Sequence, residues 1–327
     1  MQFISKFVSA LLILSGFFTN LGAVNIVNYG NTIFSEAISP GNASLGGASS
    51  LIDPIPGGYL LNPANHFSHE PNILFSYRNI FSGMGVSRTI NYSWSGQRYN
   101  YAVGLMQRVI PEISNTSDAL AYWDSNGPHL DYTKISKFDD KTYGLFLSGA
   151  MMITSDISIG ITVKPMIHKI DQSSAWGAGI DAGVVYQKNN NLGLGVSIRN
   201  ILPFIKKWNT GNLEVILPEI SGNLSYRYKK AQLHTGVSTH FTGLSLSKND
   251  NNYLVGIQYS IYQNIIAKAG SSRTVPLSLG FALNINKYHV DYVCLVDDGT
   301  ENTPISHGVS IWMELDNILA GMDRLDP

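Results

Sequence analysis

The feature that most limits the possible folds is a series of roughly ten-residue segments in which every second side chain is apolar. Ile157 to His168 shows it most clearly. Ile157, Ile159, Ile161, Val163 and Ile167 are apolar, whereas Ser158, Gly160, Thr162, Lys164 and His168 are small or polar, and only Pro165 and Met166 disturb the pattern. Successive side chains of a strand point to opposite faces, so one face of this segment meets an apolar medium and the other a polar or crowded one. The next segment repeats the pattern in opposite parity, with Trp176, Ala178, Ile180, Ala182, Val184 and Tyr186 against Gly177, Gly179, Asp181 and Gly183. Leu192, Leu194, Val196 and Ile198 against Gly193, Gly195, Ser197 and Arg199 follow, and later Tyr253, Val255, Ile257, Tyr259 and Ile261 against Gly256, Gln258 and Ser260. Aromatic residues such as Trp176, Tyr186, Tyr226, Phe241, Tyr253 and Tyr288 sit at the ends of these stripes, where interfacial girdles belong.

The same template places strands near 72–79, 84–94, 99–110, 141–152, 157–169, 175–187 and 191–200, then 218–228, 231–241, 252–262, 264–271, 275–285, 288–297 and 305–315. That is about 14, an even number, as single-chain bacterial barrels require. Connections after even-numbered strands, such as 95–98, 153–156, 188–190 and 262–263, are short. Those after odd-numbered strands include the long 111–140, 201–217 and 242–251. A membrane barrel with short periplasmic turns and longer extracellular loops has a reason for this alternation, and a soluble sandwich has none. The fold expected is therefore all-β: a transmembrane antiparallel up-and-down β-barrel of about 14 strands with an N-terminal plug segment.

Composition agrees. Charged residues are 14% of the chain, against roughly 25% in a soluble domain. The net charge of −1 leaves no basic footprint for nucleic acid. A mean hydropathy of +0.02, with no apolar run of helix-spanning length past the N-terminus, excludes a helical membrane bundle. Met1 to Lys6 and the apolar run Phe7 to Phe18, ending in Leu21-Gly22-Ala23, read as an export signal over 1–23. Residues 24–70 follow as a plug or hatch segment, 71–315 as the barrel, and 316–327 as a short periplasmic tail. Within 24–70, GNASLGGASSLIDPIPGGYLLNPAN (41–65) holds five glycines and three prolines, and its apolar residues keep neither a helical nor a strand period.

No constellation nominates an enzyme. There is no phosphate-binding glycine loop, no nucleophile elbow and no histidine pair at helical spacing. His168, His234 and His289 fall on separate strands, so neither a metal site nor a cofactor site is expected. Lys164, Asp181, Arg199 and Asp291 fall on inward faces, where charges can pair; on the lipid face each would cost about 2–4 kcal/mol at the midplane. The long polar loop over 111–140 offers Tyr122, Trp123 and Tyr132 as a lid over the barrel mouth, if it is not simply solvated.

The stretch Asn42-Ala43-Ser44-Leu45-Gly46-Gly47-Ala48, then Asp53, then Gly58-Tyr59-Leu60-Leu61-Asn62-Pro63-Ala64 resembles the N-terminal signature of the PorV/PorQ family. Gly160-x-x-x-Lys164, Asp181-x-Gly183, Arg199-Asn200, Leu217-Pro218, Gly222-x-x-x-Tyr226 and Gly256-x-x-Tyr259 extend the likeness along the mature chain. The chain departs from the signature in lacking a Met between Leu45 and Gly46. The resemblance implies an outer-membrane barrel similar to FadL channels, with Gly46, Gly47, Ala48, Asn62, Pro63 and Ala64 as a plug motif in the lumen. It also implies a non-enzymatic role in type IX protein secretion or surface attachment, with secreted cargo or the secretion machinery as partners beside the lipid bilayer. A FadL-like carrier for a hydrophobic ligand and a structural anchor for a periplasmic complex are the alternatives. A carrier should show an apolar pocket where plug meets wall and a kinked strand opening the wall sideways, with Pro165 and Pro276 as candidate kinks.

Overall fold

The computed structural model describes residues 24–26, 34, 37–65, 71–96, 98–124, 127–241, 249–296 and 305–315. The export signal over 1–23, most of 27–36, and the tail over 316–327 lie outside the described residues.

In chain order the strands are β1 (Val24–Ile26), β2 (Asn72–Ile80), β3 (Gly85–Ser95), β4 (Tyr99–Asn115), β5 (Leu120–Asp124), β6 (Gly127–Leu130), β7 (Ser136–Met152), β8 (Ile157–Ile170) and β9 (Ser173–Lys188). They continue as β10 (Leu192–Trp208), β11 (Leu213–Ile216), β12 (Glu219–Tyr228), β13 (Ala231–Phe241), β14 (Asn249–Tyr262), β15 (Ile265–Ser272), β16 (Leu277–Ile285), β17 (Tyr288–Val296) and β18 (Ile305–Glu314). Fourteen of them form an antiparallel closed ring, in which each strand pairs with its neighbours in sequence and β18 returns to β2 with Val309 opposite Tyr77. β5 and β6 form a separate hairpin between β4 and β7. β11 adds antiparallel to the far end of β10, and β1 lies parallel to β11.

Alternation along each strand gives the ring its two surfaces. On β8, Ile161 and Ile167 are exposed while Ser158, Thr162, Lys164 and His168 are buried; on β9, Trp176 and Val184 are exposed while Gly177, Gly179, Asp181 and Gly183 are buried. The exposed face is apolar all the way round, continuing through Val196, Leu233, Val237, Ile257, Leu279 and Ile311, with Tyr226, Tyr253 and Tyr288 toward its rims. An apolar outside with a polar, glycine-rich inside is the arrangement a lipid-facing barrel needs. Turns at one end are two to four residues long, as at 229–230, 263–264 and 286–287, whereas the other end carries the β5–β6 hairpin, β11 and the connection over 297–304.

Two expected loops are partly strand. β4 runs to Asn115 and β7 begins at Ser136, so the two extend the wall beyond the apolar band rather than ending at 110 and 141. Both faces of that extension meet water, which removes the alternation that marks a membrane strand. A one-residue bulge between Ile110 and Ile113, with Glu112 at φ 57°, separates the extension from the wall proper. β10 likewise continues to Trp208 instead of stopping at 200.

Pro165 keeps its register opposite Ala178 on β9, but on its other edge the β7–β8 ladder skips it, passing from Gly144 opposite Met166 to Leu147 opposite Val163 with no shift in register. Pro276 makes no kink within a strand and lies in the turn between β15 and β16. The main break in the wall falls instead between β9 and β10. Seven residue steps on β10, from Ile198 to Ile205, span only four on β9, from Ala182 to Ala178. Asn200, at φ 53°, begins this excess of chain.

Candidate functional site

Residues 37–65 pack against the inward face of the wall. The close fit is set by wall glycines: a Cβ at Gly256 would lie 2.6 Å from the Leu45 carbonyl oxygen, one at Gly193 2.6 Å from Leu51 Cβ, and one at Gly280 2.6 Å from Ser44 Cβ. At Gly160, Gly183 and Gly270 a Cβ would overlap Pro63, Asn62 and Gly46 outright. Gly46 needs its own missing Cβ twice over, since its φ is +67° and Ser271 backbone atoms lie where the Cβ would go.

Polar wall groups then satisfy a segment that has little regular structure of its own. The Asn62 side-chain amide donates to the Val184 and Val196 carbonyls, each at 3.2 Å, and its oxygen accepts from Ala64 N at 3.0 Å. Ser197 donates to the Leu61 carbonyl and Ser158 to the Ala64 carbonyl, both at 3.0 Å. Leu51 N donates to Ser225 Oγ at 3.0 Å and Gly46 N to Ser278 Oγ at 3.1 Å. Buried backbone without such partners would be costly, so small polar side chains on the inner face do for this segment what a sheet ladder does for a strand. The motif residues Gly46, Ala48, Asn62, Pro63 and Ala64 are all buried, with Gly47 partly so. Asp53 reaches the short-turn end, where it pairs with Arg227 and accepts from Gln232.

Further along the lumen lies an apolar cluster. Phe34, Ala37, Tyr59 and Leu60 meet Ala102, Met106, Phe146, Met166, Phe204 and Ile216 from the wall and β11. The Phe34 ring stands edge-on to Phe146 (centroids 6.0 Å) and to Phe204 (5.4 Å). Phe204 turns inward at the irregular part of β10, and its ring fills space left by two glycines of β9: a Cβ at Gly177 would lie 2.7 Å from it and one at Gly179 2.6 Å. The apolar cluster therefore abuts the break in the β9–β10 ladder.

Ion pairs flank it. Lys164 Nζ lies 2.8 Å from Asp181 Oδ1, and the same oxygen accepts from Asn200 N at 2.7 Å, holding the looped part of β10. Arg199 pairs with Glu219 at 2.5 Å, and Asp291 with Lys268 at 2.7 Å on the far side of the barrel. A second chain of charges draws residues from four wall strands, β4, β7, β8 and β10, and from β11. Arg108 bonds Asp140 at 3.3 Å, Asp140 bonds His168 at 2.8 Å, Lys206 lies 3.4 Å from His168 Nδ1, and Lys206 pairs with Glu214 at 2.5 Å.

Lys164, Asp181, Arg199 and Asp291 are thus inward and paired, two of them with each other. Sequence reading missed their partners Glu219 and Lys268, though Lys268 shares the parity of Gly270 and could have been found that way. It also missed Phe34, Phe204 and Lys206, which lie in stretches with no legible period. The lid residues stand apart from this site. Tyr122 is exposed and stacks on His129 across the β5–β6 hairpin at 4.2 Å, Tyr132 is exposed, and Trp123 contributes a backbone pairing with Pro128.

No protein-family model matches the chain, and no curated protein matches its sequence. Solved structures do match in fold. The toluene transporter TodX of Pseudomonas putida superposes with a TM-score of 0.67 at 9% identity, covering 84% of this chain and 98% of that one. The toluene transporter TbuX of Ralstonia pickettii gives 0.62 at 10% identity, covering 86% and 99%. A Pseudomonas aeruginosa FadL homologue gives 0.58 at 12% identity, covering 85% and 98%. The fold is a FadL-like 14-stranded barrel.

Proposed function

We propose that this chain is a non-enzymatic outer-membrane channel for small hydrophobic molecules, with the short-turn end on the periplasmic side. The observation that carries this reading is the apolar cluster between inner segment and wall, placed against the break in the β9–β10 ladder. A strand pair lacking several ladder bonds is the cheapest place for a wall to let an apolar molecule pass sideways into lipid, because fewer backbone groups must be kept satisfied there. Hydrophobic ligands suit apolar surroundings with few polar groups, and the buried cluster around Phe146 and Phe204 is made of apolar side chains from inner segment and wall. The likeness in fold to two toluene transporters supports the same class of cargo. Residues 37–65 act as the plug in this reading, and a ligand passes only when part of it shifts.

The test is uptake by intact cells. A strain lacking the chain should take up labelled toluene or a labelled fatty acid more slowly than its parent, and a plasmid copy should restore the rate. Equal rates with and without the chain would remove this reading.

A role in secretion or surface attachment of cargo proteins is the second reading. It is favoured by the burial of the resemblance motif itself, from Gly46 to Ala64, against wall groups on many strands, which suits a permanently closed lumen. Mass spectrometry of shed and retained surface proteins in the same deletion strain separates the two: altered surface display with normal uptake of hydrophobic compounds favours secretion.

A further inference from the structure

Phe34 is held as a small aromatic guest would be. Phe146 on β7 and Phe204 on β10 meet its ring at interplanar angles of 78° and 61°, the edge-to-face geometry that aligns positive ring edges with negative ring faces. Lys164 Nζ on β8 lies 4.4 Å from the ring centroid, so an ammonium sits over the π-face. Met106 and Met166 belong to the same cluster, adding polarizable thioethers that suit aromatic neighbours. A phenylalanine side chain is a toluene molecule tethered through its methyl carbon.

We infer that Phe146, Phe204 and Lys164 form a binding cage for uncharged single-ring aromatic molecules, which Phe34 occupies as an internal stand-in. This rests on the channel reading above and narrows its cargo. The neighbouring charges set the class of guest. Lys164 is paired with Asp181, Lys206 with Glu214, Arg199 with Glu219 and Arg108 with Asp140. A carboxylate guest would have to displace one of these buried carboxylates or sit beside it, and like charges at that distance repel strongly. A neutral ring leaves every pair intact and keeps the ammonium over its face. An aliphatic guest of the same size gains burial but neither the cation–π contact nor the edge-to-face contacts.

Crystals of the full chain, wild type and Phe34→Ala, soaked in turn with bromobenzene, 4-bromobenzoate and 1-bromooctane, locate each guest by bromine anomalous scattering. The expected result is a bromobenzene peak between Phe146 and Phe204 in Phe34→Ala, stronger than in wild type, with no 4-bromobenzoate peak there. Phe34→Leu, which keeps apolar bulk and removes the ring, serves if the alanine variant fails to fold, and should also show more bromobenzene than wild type. Replacing the pair together, Lys164→Met with Asp181→Asn, should weaken bromobenzene binding by roughly threefold to thirtyfold, the range of a partly to fully desolvated cation–π contact, and leave 1-bromooctane unchanged. Absence of bromobenzene from the cage, or equal occupancy by 4-bromobenzoate, overturns the inference. Occupancy by 1-bromooctane alone also overturns it while leaving the channel reading standing. Normal uptake of every hydrophobic compound in the deletion strain would sink the channel reading itself, whichever guest the crystals hold.

Discussion

Lys164 and Asp181 face each other from adjacent strands with 2.8 Å between Nζ and Oδ1, both side chains almost wholly buried inside the barrel. Asp181 also accepts from the backbone of Asn200, so the pair ties β8 and β9 to the irregular part of β10. Removing one partner leaves a buried charge uncompensated. Lys164→Met should therefore lower stability by about 3–5 kcal/mol, and Lys164→Met with Asp181→Asn by clearly less, because the orphan charge is gone and an amide oxygen can still accept from Asn200. Unfolding in urea, followed by the shift in gel migration between folded and unfolded barrel, measures both; equal losses would show that the pair is not coupled.

Gly256→Leu tests how the inner segment is seated. The new side chain would have to enter the space of the Leu45 backbone, so residues around 41–48 should leave the wall while the ring of strands stays closed. Limited proteolysis should then cut in the inner segment of the variant and not in wild type. Gly222→Ala is the matched control, since nothing lies within 4 Å of a Cβ there, and it should behave as wild type.

Asn62→Ala removes a donor shared by the Val184 and Val196 carbonyls, together with the acceptor for Ala64 N. A buried acceptor left without its partner costs about 1–3 kcal/mol, and the loss should fall on the inner segment rather than on the barrel. Hydrogen exchange of the amides of 58–65 should accelerate by roughly one to two orders of magnitude, with wall amides unaffected. Uniform acceleration in segment and wall would mean that the two unfold as one unit.

Legibility in the sequence followed physical cause. Wall strands such as Ile157–Ile170 and Ser173–Lys188 could be read because a membrane outside and a crowded inside impose a period of two on every residue. Strand extensions beyond the apolar band lost that constraint, which is why Pro111–Asn115 and Ser136–Asp140 looked like loop. The break at β10 hid for a related reason: its extra residues after Ile198 reverse the parity, so Phe204 and Lys206 point inward where a continued template would not put them. Proline proved a poor guide to that break, because Pro165 fits a strand whose other edge carries the ladder to β9. The glycine-rich motif from Gly46 to Ala64 stood out by composition, but its partners did not. Gly160, Gly183, Gly256 and Gly270 read only as the small side of a strand until the inner segment was seen against them. Phe34 carried no signal, since a single aromatic in a stretch without a period points nowhere until its neighbours are in place.

The most direct test of passage through the β9–β10 break is toluene uptake by cells carrying Gly179→Leu. A leucine there would collide with Phe204 and with the Lys164 stem, filling the break without touching the apolar outside. Provided the variant barrel still shows folded migration on gels, uptake is expected to fall to the rate of the strain lacking the chain. Uptake at the wild-type rate, from a folded Gly179→Leu barrel, would contradict a route through this part of the wall.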